Sequence, residues 1–262
     1  MNLLEAIVLG VVQGLTEFLP VSSSGHLTIG KELLGIDSSN LAFEITVHAA
    51  TVLSTIVAFR KEIGSLIGGF FKFKMNQETI YLFKIAFSMI PIFIVGVFFK
   101  DFVESLFGEG LLIVGIALLV TSTLLLLSAT IKPKEREVTF KSAFIIGLAQ
   151  SLAVIPGLSR SGATISTGLL LGVKRENIAK FSFLMVLVPI LGETLLQLLS
   201  GELSEVNAGI ALLPLLAGFV AAFLSGLLAC KAMIELVKRT KLKGFAIYCA
   251  CVGVLAIVFA YV

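Results

Sequence analysis

Charged residues are scarce in this chain. Aspartate, glutamate, lysine and arginine make up 14% of its 262 residues, whereas 57% are hydrophobic, and the mean hydropathy is +1.05. A composition this poor in charge excludes a sizeable water-soluble domain, a nucleic-acid-binding protein and a disordered tail. Because a helix needs about 20 apolar residues to cross a bilayer, the length suffices for six to eight crossings. The sequence predicts a single integral membrane domain over residues 1–262.

Cysteine is also rare. Cys230, Cys249 and Cys251 lie in or beside apolar stretches, without a histidine or carboxylate at the spacing of metal ligands. Their setting favours a packing role over a redox or metal-binding one. The first twenty residues lack the basic start and the cleavage site of a signal peptide, so they are predicted to remain in the mature protein.

Long apolar runs predict six membrane-spanning helices. The connections after the first, third and fifth runs are basic, and those after the second and fourth are acidic on balance. Basic connections stay on the cytoplasmic side of a membrane, so the second and fourth connections are predicted to be external. The predicted spans are Leu41–Phe59, Ile80–Phe99, Leu111–Ala129, Ile178–Leu198, Gly209–Ala229 and Gly244–Val262.

Two further apolar segments, Leu3–Leu34 and Phe140–Val173, are interrupted near their middles by serine, glycine and proline. A half-length helix on each side of such a break is too short to span, which favours a re-entrant hairpin that enters and leaves by the same face. The alternative is that both segments are kinked spans, which would give eight crossings.

The two broken segments match each other at a constant offset of 137 residues, without a gap. This internal repeat predicts two halves, about 1–130 and 138–262, each a hairpin followed by three spans. An odd number of spans forces the second half to be inserted upside down, and such inverted repeats place the functional site where the broken helices meet. The fold predicted is therefore an all-α polytopic membrane protein with an inverted-topology repeat.

Ionisable side chains near the two breaks are candidates for function, because an unpaired charge in hydrocarbon costs several kcal/mol. Glu17 and His26 flank the first break, and Arg160 lies at the second. Gln13 precedes Glu17 by four residues, so both share one helix face. Serine- and glycine-rich turns at helix N-termini offer N–H groups to an anion, and arginine binds phosphate in a bidentate way. The pattern indicates a phosphate-ester site.

A cation is predicted at Glu17, because a carboxylate and a phosphate repel each other in a low dielectric. Mg²⁺ or Ca²⁺ fits this role, with Glu17 and Gln13 as oxygen ligands. A serine beside a histidine supplies a nucleophile and a proton shuttle. The competing interpretation is structural: small residues let the hairpins pack closely, and Glu17 forms a buried pair with Arg160.

Other polar residues of the spans receive less weight. Glu44 and His48 lie four residues apart near the external end of their span, where a surface-level pair is favoured over a role in the same cavity. Glu193 and Gln197 lie one turn apart in another span, where helix packing or snorkelling is favoured over catalysis.

The stretch from Gln13 to His26, together with Pro156 to Thr164, closely resembles the two signature motifs of the bacterial undecaprenyl pyrophosphate phosphatase family, known for bacitracin resistance. The resemblance covers essentially the whole chain. It implies hydrolysis of undecaprenyl diphosphate to the monophosphate at the outer face of the cytoplasmic membrane, which recycles a carrier lipid for peptidoglycan and other envelope polymers. Bacitracin would compete for this substrate. The family allows Glu or Gln at the first position of its acidic motif, and this chain has Gln13.

The resemblance also implies roles for individual residues. Glu17 would bind the metal or act as a base, and Ser23 would be the nucleophile. His26 would be the general acid or base, while Arg160 would bind the phosphates; attack by His26 or by a metal-bound water stays open. The residues expected to contact the phosphates are Ser22, Ser24, Gly25, Ser159, Ser161 and Thr164.

A second class of function, a secondary transporter or lipid flippase, shares the inverted-repeat architecture. The repeats differ, however, in the residues that carry chemistry. Glu17, Ser23 and His26 correspond to Val154, Arg160 and Ala163. One half thus carries the catalytic groups and the other the anion-binding arginine, which favours an enzyme. The oligomeric state stays open, with a homodimer as one alternative.

Overall fold

The computed structural model describes residues 1–36, 41–107, 110–131, 135–199, 210–239 and 242–261. Regular structure in these residues is helical apart from one β-bridge between Arg136 and Val173. The helices are α1 (Leu3–Phe18), α2 (Ser23–Leu34), α3 (Leu41–Ala58), α4 (Arg60–Phe70), α5 (Gln77–Ser88), α6 (Ile90–Phe98), α7 (Lys100–Phe107), α8 (Gly110–Thr130), α9 (Phe140–Leu152), α10 (Arg160–Leu170), α11 (Arg175–Leu199), α12 (Leu212–Arg239) and α13 (Lys243–Phe259).

Five of the predicted spans each overlap one helix, and the span Ile80–Phe99 overlaps the consecutive helices α5 and α6, which confirms an all-α polytopic membrane protein. Within the described residues, three stretches are by themselves long and apolar enough to cross a membrane: Gln77–Phe98, Gly110–Thr130 and Leu212–Lys238. α3 and α4 give a fourth when the bent pair is taken as one span, with 73° between its helices. Large apolar side chains remain exposed along the helices, as expected where lipid is the solvent.

Helix ends depart from the predicted span ends for identifiable reasons. α12 continues ten residues beyond the predicted end at Ala229, because Lys231, Glu235 and Lys238 are good helix formers that end the apolar run without ending the helix. Between α5 and α6 the helix breaks at Met89. Pro91 lies just beyond, and it lacks the backbone N–H that would donate to a carbonyl of the preceding turn.

The two interrupted segments fold as pairs of short helices. α1 and α2 contain 16 and 12 residues, and α9 and α10 contain 13 and 11. All four are shorter than the roughly 20 residues that a span requires. Within each segment the two helices pack against each other, as the arms of a hairpin do and the halves of a kinked span do not. The structure therefore favours the re-entrant hairpins over eight crossings.

The first hairpin packs against two long helices, α12 and α13. α1 packs along α12, α12 packs on α3, and α13 packs along α8. Ser122 of α8 donates a hydrogen bond to the carbonyl of Ala246 in α13, with 2.7 Å between the oxygens. Cys249, one turn further along α13, lies with its sulfur 3.6 Å from the carbonyl oxygen of Pro20. The tip of the first hairpin is thereby fixed in position against α13.

Candidate active site

The tips of the two hairpins touch each other. The N–H of Gly157 lies 3.4 Å from the hydroxyl oxygen of Ser24. A Cβ atom at Gly25 would lie 3.1 Å from the Cα of Gly157. Gly157 itself has φ +87°, and a Cβ there would lie 2.6 Å from the carbonyl oxygen of Val114. Only glycine tolerates this backbone conformation together with this close approach, so Gly25 serves the contact between the tips and Gly157 the packing of the second tip against α8.

Both tips begin their second helix with the same serine cap. Ser22 accepts a hydrogen bond from the N–H of Gly25 at 3.2 Å, and Ser159 accepts one from the N–H of Gly162 at 3.0 Å. Such caps satisfy a backbone donor that the helix itself leaves open. The N–H of Gly25, predicted to contact a phosphate, is therefore already paired. The shared geometry supports the internal repeat.

The first residue after each cap carries a different side chain. Ser23 begins α2, and Arg160 begins α10. Helix N-termini carry partial positive charge and free N–H groups, which favours anions. The two corresponding positions therefore present a hydroxyl and a guanidinium beside two anion-favouring helix ends.

Glu17 lies at the centre of the side-chain contacts. Its Oε2 atom accepts hydrogen bonds from the hydroxyl of Ser23 and from Nε2 of Gln13, the latter at 3.1 Å. Nε2 of His48 lies 3.9 Å from the same oxygen. The Glu17 side chain is only 8% exposed. A buried carboxylate that accepts a hydrogen bond from a serine hydroxyl is the arrangement that a nucleophile and its base require.

Arg160 faces Glu17 across two adjoining cavities that both residues line. The polar cavity is also lined by His48 and by serines of both tips, namely Ser22, Ser23, Ser24 and Ser159. The second cavity contains Ser161, Thr164 and Ser182. The opposite charges of Glu17 and Arg160 attract each other, although no direct salt bridge joins the two side chains among the described residues. A guanidinium beside serine hydroxyls, with no direct salt bridge within the described part of the chain, is chemically suited to bind a phosphate.

His26 makes its contacts elsewhere. Its Nδ1 lies 2.8 Å from the carbonyl oxygen of Ser22, and its Nε2 lies 2.7 Å from the hydroxyl of Tyr248. The imidazole and phenol rings lie nearly parallel, at 10° with centroids 5.5 Å apart. His26 is not part of the lining of either cavity. The structure therefore groups Glu17 and Ser23 with Arg160 and places His26 on a partner from α13.

Two residues of this region, His48 and Tyr248, were not predicted as site residues. The prediction of a surface-level Glu44–His48 pair is wrong, because the Glu44 carboxylate pairs with Lys31 and the His48 ring lies beside the Glu17 carboxylate. Their spacing does place both residues on one side of α3, but it does not reveal the neighbour. Tyr248 lies 222 residues from its partner His26 and has no local motif. The side chains of Glu193 and Gln197 fall outside the described residues.

Comparisons with known proteins identify the family of this chain. A family model described as "Bacitracin resistance protein BacA" matches residues 6–255. Proteins named undecaprenyl-diphosphatase from a strain of Bacteroides fragilis and from Parabacteroides distasonis are 60% and 58% identical to this chain, over 98% of each sequence. One from Carboxydothermus hydrogenoformans is 41% identical over 98% of this chain and 97% of its own length. The chain therefore belongs to the bacitracin resistance protein BacA family.

Proposed function

We propose that this protein hydrolyses undecaprenyl diphosphate to undecaprenyl phosphate and inorganic phosphate. The hydrogen bond between Ser23 and Glu17, opposite Arg160 in a buried polar cavity, carries the proposal. Relatives 58–60% identical over nearly their whole length are named for this activity, and they give no support to a transporter or flippase. A polyprenyl chain is soluble in the bilayer, so a site inside a membrane helix bundle suits such a substrate.

The first half of the reaction uses Ser23 as nucleophile. Its hydroxyl proton passes to Glu17, and its oxygen attacks the terminal phosphorus. The bond from that phosphorus to the bridging oxygen breaks, and undecaprenyl phosphate leaves with the electron pair. Arg160 and the hydroxyls of Ser159 and Ser161 bind the phosphate oxygens, where negative charge must be held in the transition state.

Water completes the reaction. Its oxygen attacks the phosphorus of phosphorylated Ser23, and the bond between that phosphorus and the serine oxygen breaks. The serine oxygen recovers the proton held by Glu17. The proton lost by the attacking water passes to His26, the general base one helical turn after Ser22 at the edge of the site, and from there to bulk water. Removing undecaprenyl diphosphate leaves less of it for bacitracin, which explains the link to resistance.

A divalent cation, Mg²⁺ or Ca²⁺, fits two oxygen ligands of this site. The Oε1 atom of Gln13 is buried and has no hydrogen-bond partner among the described residues, and the Glu17 carboxylate lies beside the amide group. Hard cations prefer carboxylate and amide oxygens and take their remaining ligands from water and phosphate. Within the described part, histidine, cysteine and acidic side chains form no group of three that could hold a metal by themselves. When bound, the cation would offset the repulsion between Glu17 and the substrate.

Phosphate release should therefore require a divalent cation. Purified protein in detergent is expected to release phosphate from undecaprenyl diphosphate, to lose this activity in excess EDTA and to regain it when Mg²⁺ or Ca²⁺ is restored.

Gln13→Glu should lower the cation concentration that gives half-maximal activity, since a carboxylate binds Mg²⁺ more strongly than an amide. Gln150→Glu is the matched control, because Gln150 occupies the corresponding position of the repeat and has the same unpaired oxygen. Undiminished release in EDTA would refute the cation requirement.

The active site is proposed to open to the external side of the bacterial cytoplasmic membrane. Its basis is the predicted charge asymmetry of the connections. In a background with exposed Cys251 replaced by alanine, Asp101→Cys should react with a membrane-impermeant thiol reagent in intact cells, and Met75→Cys should react only after lysis. Both positions are exposed. The reverse labelling pattern would show the opposite membrane topology, with the base of the first hairpin on the cytoplasmic side.

A further inference from the structure

Both ring nitrogens of His26 have partners, and the partners identify the tautomer. The carbonyl oxygen of Ser22 accepts only, so the Nδ1 atom 2.8 Å away must carry a proton. In the neutral ring, Nε2 is then unprotonated and accepts a hydrogen bond from the Tyr248 hydroxyl at 2.7 Å. Ser22 has φ +71°, which is uncommon for a residue other than glycine. The strained cap residue of α2 thus holds one side of the imidazole.

Tyr248 holds the other side in either protonation state. A phenol hydroxyl donates to neutral Nε2 and, after turning, accepts from the N–H of an imidazolium. The parallel rings also fix the plane of the imidazole. The contacts of Ala246 with α8 and of Cys249 with the first hairpin fix the backbone on both sides of Tyr248. The phenol is therefore presented to His26 by a backbone that is anchored independently of the two rings.

We infer that Tyr248 is the positioning residue for His26: its hydroxyl and its ring fix the tautomer and the plane of the imidazole. The inference rests on the proposed function, in which His26 transfers protons. Nδ1 is committed to the Ser22 carbonyl, so Nε2 is the nitrogen left for exchange.

Kinetics can separate this role from simple packing. Tyr248→Phe keeps the ring and removes the hydroxyl, and is expected to lower kcat by about 10- to 100-fold, the usual effect of losing a partner that orients a functional histidine. KM should change little. In a His26→Ala background the same substitution should cost nothing further, because a residue that acts only by positioning His26 has no effect once the imidazole is gone. Tyr81→Phe, at another partly buried tyrosine, is the control and should retain wild-type turnover.

Nitrogen NMR tests the geometry without any turnover. The chain has two histidines, so His48→Gln leaves His26 as the single source of imidazole signals. With Tyr248 present, the spectrum should show the Nδ1–H tautomer with a hydrogen-bonded Nε2, and Tyr248→Phe should shift the Nε2 signal. Identical spectra with and without Tyr248, wild-type kcat in folded Tyr248→Phe, or equal losses in both backgrounds would overturn the inference. Should the wild type not hydrolyse undecaprenyl diphosphate, the proposed function fails, and the spectra still decide the Tyr248 contact.

Discussion

Glu17→Gln is expected to lower kcat by about 10²- to 10⁴-fold, the range typical of losing a general base. Glutamine has nearly the same size, but it has no negative charge and cannot take the Ser23 proton. Phosphate release from undecaprenyl diphosphate measures the effect, with the melting temperature in detergent recorded alongside it. Glu32→Gln is the control, since Glu32 lies on the exposed side of the same hairpin. Turnover within a few-fold of wild type in Glu17→Gln would exclude Glu17 as the base.

The combination with Ser23→Ala tells whether the two residues act as one unit. Ser23 and Glu17 share a hydrogen bond, and groups that act together in one step are far from additive. If Glu17 serves only to deprotonate Ser23, the double variant should be no slower than the slower single variant. Additive losses would instead assign Glu17 a separate task, such as holding the cation, and would favour attack by water over attack by Ser23.

The sequence predicted the helices and a candidate site at the hairpin tips because both predictions depend on local features. Apolar runs of span length identify the helices, and the repeated serine, glycine and proline breaks identify the hairpin tips. The site lies at these breaks for a reason that the sequence carries: helix N-termini with unpaired donors occur where the helices are interrupted. Glu17 and Arg160 were identified in this way, and the family resemblance singled out Ser23 among its neighbouring serines. The structure brings all three to one cavity.

Contacts between distant helices were not accessible to such reasoning. The spacing of Glu44 and His48 gives their helix face, but the partners Lys31 and Glu17 come from two other helices. Tyr248 meets His26 only because α13 packs along α8 beside the first hairpin. The alignment of α13 in that packing decides which residue lies opposite the imidazole. Hydropathy records that α13 is apolar, and it does not record this alignment.

Arg160→Lys is expected to fold and insert normally and to lose roughly 10²- to 10³-fold in kcat/KM, equivalent to about 3–4 kcal/mol of transition-state stabilisation. A guanidinium is planar and presents donors to two phosphate oxygens at once, whereas an ammonium is a compact charge on a flexible stem. Arg160 begins α10 at the tip contact and lines both cavities beside Glu17. A phosphate bound at this position would therefore contact both the guanidinium and the N-terminus of α10.

The structural alternative predicts a different pair of outcomes. If Arg160 only balanced the charge of Glu17, lysine would preserve most of the activity, and Arg160→Ala would chiefly lower the melting temperature. Arg60→Lys, in α4, controls for the general effect of exchanging the two cations. Kinetics on undecaprenyl diphosphate and thermal melting of the same three preparations distinguish the alternatives. Because lysine retains the charge and removes the bidentate geometry, a large loss of kcat/KM without a loss of stability identifies phosphate binding as the role of Arg160.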